Sequence, residues 1–143
     1  MTNEESVAET RRDRFERGMK TLISINGDDA GQDLINDLAD ISPELGHQVV
    51  AWAFGDIYNR PGLTPRDREL VTLGILTALG GCEPELEAHV MTSLNVGLSP
   101  QQIVESLLHS AVYCGMPKAI NATFVAKKVL MEGKLLPVQT MSS

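Results

Sequence analysis

Basic residues are outnumbered in this chain. Twelve Lys and Arg stand against nineteen Asp and Glu, and the formal net charge is −7. A field of that sign repels nucleic acid and anionic lipid, so neither is expected as a partner. Long apolar runs are missing too. None approaches the ~20 residues that span a bilayer, and no membrane association is expected. The opening Met1-Thr2-Asn3-Glu4-Glu5 is acidic and polar, unlike a secretory signal peptide. Cys82 and Cys114 are the only cysteines. Two do not make a disulfide framework, and the expected location is the reducing cytoplasm. No Cys/His/Asp cluster has metal-ligand spacing, so no metal is expected. A G-x-S-x-G elbow, a Gly-rich phosphate loop and a dinucleotide fingerprint are all absent. Aromatics are few, and no segment alternates convincingly as a strand. The length of 143 residues predicts a single domain over 1–143, with a core about 14–132 and frayed ends at 1–10 and 137–143.

What is present reads as an all-α chain of six or seven helices. Phe15, Met19, Leu22 and Ile23 recur as an amphipathic stripe, and Gly27 stops that helix. A short helix around 30–39 is expected to bury Leu34, Ile35 and Leu38. Ser42-Pro43 is an N-cap followed by proline at the first helical position, and the helix it opens carries Leu45, Val49, Trp52 and Ala53 on one side. Thr64-Pro65 repeats the signal. The stretch 69–79 is apolar on nearly all faces, which predicts a buried helix. Leu86, Val90 and Leu94 mark the next helix, with Gly97 as its stop. Ser99-Pro100-Gln101-Gln102 is a capping box ahead of Ile103, Leu107 and Ala111. Tyr113 and Cys114, just before the Gly115-Met116-Pro117 break, are expected in the core. A last helix runs over 118–132 to Gly133.

Cys82, Glu85 and His89 are the first candidates for chemistry. Steps of three and four put them within about 60° of arc on one helix face. Glu85 and His89 form an i,i+4 pair in which a carboxylate can orient the imidazole. The same spacing equally fits a solvated face with an ordinary Glu-His pair. Arg68 and Glu69 open the apolar helix. Glu69 suits the first, solvent-facing turn and the helix dipole. Arg68, with Arg60 and Arg66 close in sequence, can form a cationic mouth for an anionic substrate, or serve surface solubility alone. The segment 87–109 also reads as helix, turn, helix. Its second helix offers Gln101, Gln102, Glu105 and Ser106 and no basic residue, which argues against reading DNA.

The order of several short motifs resembles one family. Arg14-Phe15-Glu16-Arg17-Gly18 is similar to an R-[YF]-x-x-G opening, and the run Phe54-Gly55-Asp56-Ile57-Tyr58-Asn59-Arg60-Pro61-Gly62-Leu63 to a central F/W-G-x-[IV]-[YW]-x-R-P-G-L. Arg68-Glu69-Leu70-Val71-Thr72-Leu73, Glu85-Leu86-Glu87-Ala88-His89 and the late Tyr113-Cys114-Gly115-Met116-Pro117 follow in order, and Asn95, Gly97 and Asn121 also fit. Together they resemble the carboxymuconolactone decarboxylase-like family, within the alkylhydroperoxidase D-like superfamily, and most closely its γ-carboxymuconolactone decarboxylase branch. That resemblance implies an all-helical subunit assembling into ring-like homo-oligomers, trimers or hexamers. Its peroxidase branch uses C-x-x-C-x-x-x-H with a glutamate relay on the preceding helix. Here Cys82 falls on the first cysteine, Glu85 replaces the second, His89 falls on the histidine, and Glu69 lies near the relay position.

The expectation that follows is a cofactor-free enzyme acting on a small carboxylated lactone or related anionic carbonyl compound. His89 would transfer the proton, with Glu69, Glu85 and Cys82 as its catalytic neighbours. Arg68 and Arg60 would bind the acid anion, and Trp52, Phe54 and Tyr113 would wall the pocket. Two alternatives stand beside it. One is a thiol peroxidase in which Cys82 attacks a peroxide and Cys114 resolves it. The other is a non-enzymatic oligomer that binds a small ligand.

Overall fold

The structure is a computed structural model that describes residues 8–27 and 29–139. Among these residues there are helices and no strands. The ends expected to fray fall mostly outside the described residues, but Thr10 is ordered as a cap. The chain divides into two compact units, Met1–Pro61 and Gly62–Ser143.

The first unit contains α1 (Arg11–Asn26), α2 (Ala30–Leu38) and α3 (Pro43–Gln48), which continues without a break into a π-helix, Val49–Ile57. Thr10 and Asp13 close a reciprocal capping box on α1. Gly27, at φ 90°, ends the helix as expected. The π-helix lies against α1 at backbone contact. A Cβ on Gly18 would sit 1.9 Å from the Val50 carbonyl oxygen, and one on Gly55 would sit 2.6 Å from that of Arg14. Only glycine permits that approach at both places.

This approach corrects the expected packing face. Leu45 and Trp52 are exposed, whereas Val50, Ala51, Phe54 and Gly55 are buried. A π-helix bonds i to i+5 and turns less per residue than an α-helix. Extrapolating the α-period through 49–57 therefore selects the wrong side. In α2, Leu34 is exposed and Ile35 and Leu38 are only half-buried, so the expected burial there is not met. In α1, Ile23 is exposed, and Leu22 and Ile25 are the residues packed inside.

Charged side chains brace the same contact. The Arg14 guanidinium donates to both Asp56 oxygens, through Nε at 3.2 and 3.1 Å. Arg17 donates from Nη2 to Asp56 at 2.9 Å and from Nε to the Gly55 carbonyl at 2.7 Å. Asn59 Nδ2 donates to the carbonyls of Phe54, at 2.8 Å, and Gly55, at 3.0 Å. Carbonyls near the end of the π-helix thus find side-chain donors. Arg14 first, and then Arg17, hold the Asp56 carboxyl below its ordinary pKa.

The second unit contains α4 (Pro65–Leu79), α5 (Glu83–Asn95), α6 (Pro100–Cys114) and α7 (Met116–Glu132). Capping boxes at Thr64/Asp67 and Ser99/Gln102 start α4 and α6. The loop from α4 to α5 turns through Gly80 and Gly81, both at positive φ. Lys118 Nζ, from the start of α7, donates to the Ala78 carbonyl at 2.6 Å and caps the end of α4. The core is aliphatic, centred on Leu73, Leu86, Val90, Ile103, Leu107 and Ala126.

Two expectations fail in this unit. Helix α4 is not buried all round: only Glu69, Leu73 and Thr77 are inside, on one i,i+4,i+8 stripe. Val71, Ile75 and Leu79 are more than half exposed. Its partners α5, α6 and α7 cover one stripe of the helix and leave the rest of its apolar surface open. Tyr113, expected in the core, is 83% exposed. It sits at the end of α6, outside the stripe of Ile103, Leu107 and Ser110 that packs inward.

Candidate active site

Glu69 enters the unit's interior because it heads the buried stripe of α4. Its side chain is 0% exposed. An isolated carboxylate in that position would be costly to desolvate. Helix α5 supplies a partner. His89 Nδ1 lies 2.8 Å from Glu69 Oε2, across 20 residues of sequence. The imidazole is 22% exposed, so one edge of the pair is sealed and the other opens outward. A carboxylate acceptor selects the tautomer with hydrogen on Nδ1, and Nε2 is then the nitrogen that can exchange a proton with a substrate.

The backbone beneath the imidazole is also braced. Ser93, fully buried one turn further along α5, donates its hydroxyl to the His89 carbonyl at 2.6 Å. Thr92 does the same to Ala88 at 3.1 Å. Such i−4 bonds satisfy buried hydroxyls and bend a helix slightly. These two residues were not singled out by the sequence reading, although Ser93 lies at i+4 from His89.

The remaining candidates fall as follows. Glu85 is exposed on the first turn of α5, and the carboxylate bonded to His89 is that of Glu69. Cys82 is the residue that starts α5, half-buried, with its thiol donating weakly to the Gly80 carbonyl at 3.5 Å. It lies two helical turns, about 10 Å of helix axis, before His89. It borders a hollow of about 20 Å³, enough for a single water, shared with Thr77, Lys118 and Asn121. Cys114 is half-buried, and both thiols are free. Arg68 is half-buried beside Glu69 on α4. Tyr113 faces His109, ring centroids 5.6 Å apart, on α6.

Three candidates lie in the first unit. Phe54 is buried against Tyr58, with centroids 4.6 Å apart. Trp52 and Arg60 are exposed. Arg14, Arg17, Asp56 and Asn59 carry no chemical signal in the sequence beyond the family-like motifs, and the geometry makes them braces of the π-helix. No group of three His, Cys, Asp or Glu side chains able to hold a metal ion occurs among the described residues. No helix among them is long and apolar enough to cross a membrane.

Residues 43–128 match the sequence profile of the Carboxymuconolactone decarboxylase family. The chain belongs to this family. Within the match lie Arg68, Glu69, Cys82, Glu85 and His89, while α1 stands outside it. Two relatives of this family member match along most of both chains. A nitrosuccinic acid decarboxylase of Metarhizium robertsii is 29% identical over 91% of this chain and 90% of its own length. A 4-carboxymuconolactone decarboxylase of Acinetobacter baylyi is 28% identical over 87% of this chain and 92% of its own. An uncharacterized 15.0 kDa protein of Paracoccus denitrificans is 30% identical over 63% of this chain and 68% of its own. The family and its two named enzymes make the function decarboxylase-like.

Proposed function

We propose that this family member is a carboxy-lyase that uses no added cofactor and acts on a small acid carrying its own electron sink. The names of the two decarboxylase relatives support the class. One denotes a carboxylic acid bearing a nitro group, the other a carboxylated lactone, and each group can hold the electron pair left when carbon dioxide departs. The step then needs little from the protein. The bond between carbon and the carboxylate breaks, its electrons pass into the sink, and a proton is delivered to carbon. In this reading His89 Nε2 gives that proton and is reloaded from solvent. Glu69 holds the ring in place through its Nδ1. Arg68 grips the substrate anion.

The observation that carries the proposal is the 2.8 Å contact between His89 and the fully buried Glu69. A buried acid oriented on a half-buried imidazole is an arrangement suited to proton transfer. The thiol reading has no comparable support, because Glu85 stands where a second thiol would be and is exposed. The family match crosses the join at Pro61, which supports one functional domain. Free thiols fit a cytoplasmic protein. The exposed apolar side of α4 fits a homo-oligomer. The test is carbon dioxide release from 4-carboxymuconolactone and from nitrosuccinate, parent against His89→Gln. Release from either substrate that falls in the variant supports the proposal. No release from both, or equal release by the variant, refutes it.

A further inference from the structure

Basic side chains gather at one place in the first unit. Four of the twelve Lys and Arg fall between positions 11 and 17, as Arg11, Arg12, Arg14 and Arg17. Arg14 and Arg17 are taken up by Asp56. Arg11 and Arg12 instead line an open cavity of about 390 Å³, whose wall is completed by Phe15 of α1 and His47 of α3. The Phe15 and His47 rings lie parallel, with 11° between their planes and centroids 5.4 Å apart. Both are half-buried, so packing holds the pair while part of it still meets the cavity. Glu44 and Glu16, the carboxylates that pair with the two arginines, are not part of the wall. Among the described residues that wall holds two guanidiniums, an imidazole and a phenyl ring, and no carboxylate.

We infer that this cavity binds a small planar ring carrying an anionic oxygen group, a carboxylate or a phosphate. Charge is the first reason. The chain carries −7, so a wall of only cationic and ring groups is a local exception that draws an anion. Donor capacity is the second. A guanidinium has five N–H donors in a fork that fits carboxylate or phosphate. Glu44 accepts from Nη1 and Nη2 of Arg11, and Glu16 from Nε of Arg12. Those bonds leave N–H groups on both side chains for a ligand. The Arg12 side chain is 85% exposed and can swing onto one. Ring geometry is the third reason, because a parallel aromatic pair offers a flat apolar surface for another ring. Size is the fourth. Small-molecule sites run from about 300 to 1,000 Å³, and this cavity lies near the low end, which suits one ring and its charged group. The cavity shares no residue with the Glu69–His89 pair, and Arg11, Arg12 and Phe15 lie outside the residues that match the family profile.

The test is calorimetric titration of the full-length chain carrying Arg68→Gln, which removes the arginine assigned above to the substrate anion. Benzoate and phenyl phosphate are the probes. Benzamide keeps the ring without the charge, and inorganic phosphate keeps the charge without the ring. The expected result is a Kd on the order of 1 mM or tighter for at least one ring anion, with both controls about tenfold weaker or more. Adding Arg12→Gln removes a charge-assisted bond and weakens that ring anion by about tenfold or more, with helical content unchanged. Proton magnetic resonance gives a second readout, since the ring current of a bound probe shifts the His47 C–H resonances. Should Arg68→Gln or Arg12→Gln fail to fold, the His47 resonances of the parent chain decide. Absence of binding by both ring anions up to about 10 mM overturns the inference. So does a control that binds as tightly as the ring anions, an affinity that Arg12→Gln leaves unchanged, or a titration that leaves His47 unshifted.

Discussion

Removing the imidazole of His89 separates a catalytic pair from an ordinary surface histidine. Its Nδ1 lies 2.8 Å from a carboxylate oxygen of Glu69, whose side chain is fully buried. His89→Ala deletes a hydrogen bond to a charged group, worth about 1.5–3 kcal/mol. It also withdraws the donor from a buried carboxylate, and breaking such a pair from one side costs about 3–5 kcal/mol. The ring is 22% exposed, so water softens the loss, and the expected cost is about 2–4 kcal/mol. His89→Gln keeps an amide donor at a similar reach and should cost about 1 kcal/mol or less. Both variants lose the imidazole that would pass the proton, and both should lose about 10²–10⁴-fold in turnover. Urea unfolding followed by helical circular dichroism, at fixed protein concentration, reads the midpoints and their slopes. If His89→Ala and His89→Gln are equally stable, Glu69 does not depend on the imidazole and the argument fails. If either turns over at the parent rate, His89 is not the proton donor.

Three further outcomes follow. Arg68→Gln should raise KM for a small acid more than it lowers kcat, because a grip felt equally in ground and transition states is uniform binding; steady-state kinetics showing only a kcat loss would contradict this. Cys82→Ser should leave carbon dioxide release unchanged, and the parent should turn over peroxide weakly or not at all with a dithiol donor; robust peroxide turnover that vanishes in the variant reverses the ranking of lyase over thiol enzyme. The Glu44 carboxyl, held by Arg11 first and then by Gln48, is lowered from 4.5 to about 2. A folded pKa below the unfolded one gives stability that is present above about 4.5 and fades as pH falls toward about 2. The melting temperatures of parent and Glu44→Gln should therefore differ at pH 6 and converge near pH 2, by a modest amount because the pair is exposed; a gap that persists at pH 2 would exclude the ion pair as its source.

Helix boundaries were legible wherever local chemistry sets them. Thr64-Pro65 and Ser99-Pro100 start α4 and α6, and Gly27, Gly115 and Gly133 end helices as caps. These signals act within one turn, so sequence carries them completely. The buried stripe of α5 was legible as well, because Leu86 and Val90 are its strongest apolar pair. Facing failed where tertiary contact decided it. The π-helical bonding of 49–57 arises with the backbone approach at Gly18 and Gly55, a distance of more than thirty residues along the chain, and it turned Trp52 outward. Helix α4 is apolar nearly all round, so its pattern has no contrast from which to read which stripe packs inward.

The same lack of contrast hid the placement of Glu69. Read along the chain, it belongs to a first turn open to solvent, and the natural partner for His89 is Glu85, four residues away on the same helix. A local i,i+4 pair on a wet surface is worth only about 0.2–0.5 kcal/mol, which constrains an imidazole very little. Once α4 is docked through Leu73 and Thr77, Glu69 is carried inside with them. A buried carboxylate needs a donor far more than an exposed one does, and the difference amounts to several kcal/mol. The larger demand wins. His89 therefore turns to the distant glutamate and leaves Glu85 to water. Glu69→Leu separates the two demands: it keeps the stripe apolar and returns His89 to solvent. It should leave the fold intact, because a buried pair replaced by apolar volume is often neutral in stability. It should also abolish the constraint on the imidazole, seen as loss of the Nδ1–H resonance from slow exchange in the proton spectrum. A protected Nδ1–H that survives in Glu69→Leu would mean that another acceptor, not Glu69, fixes the ring.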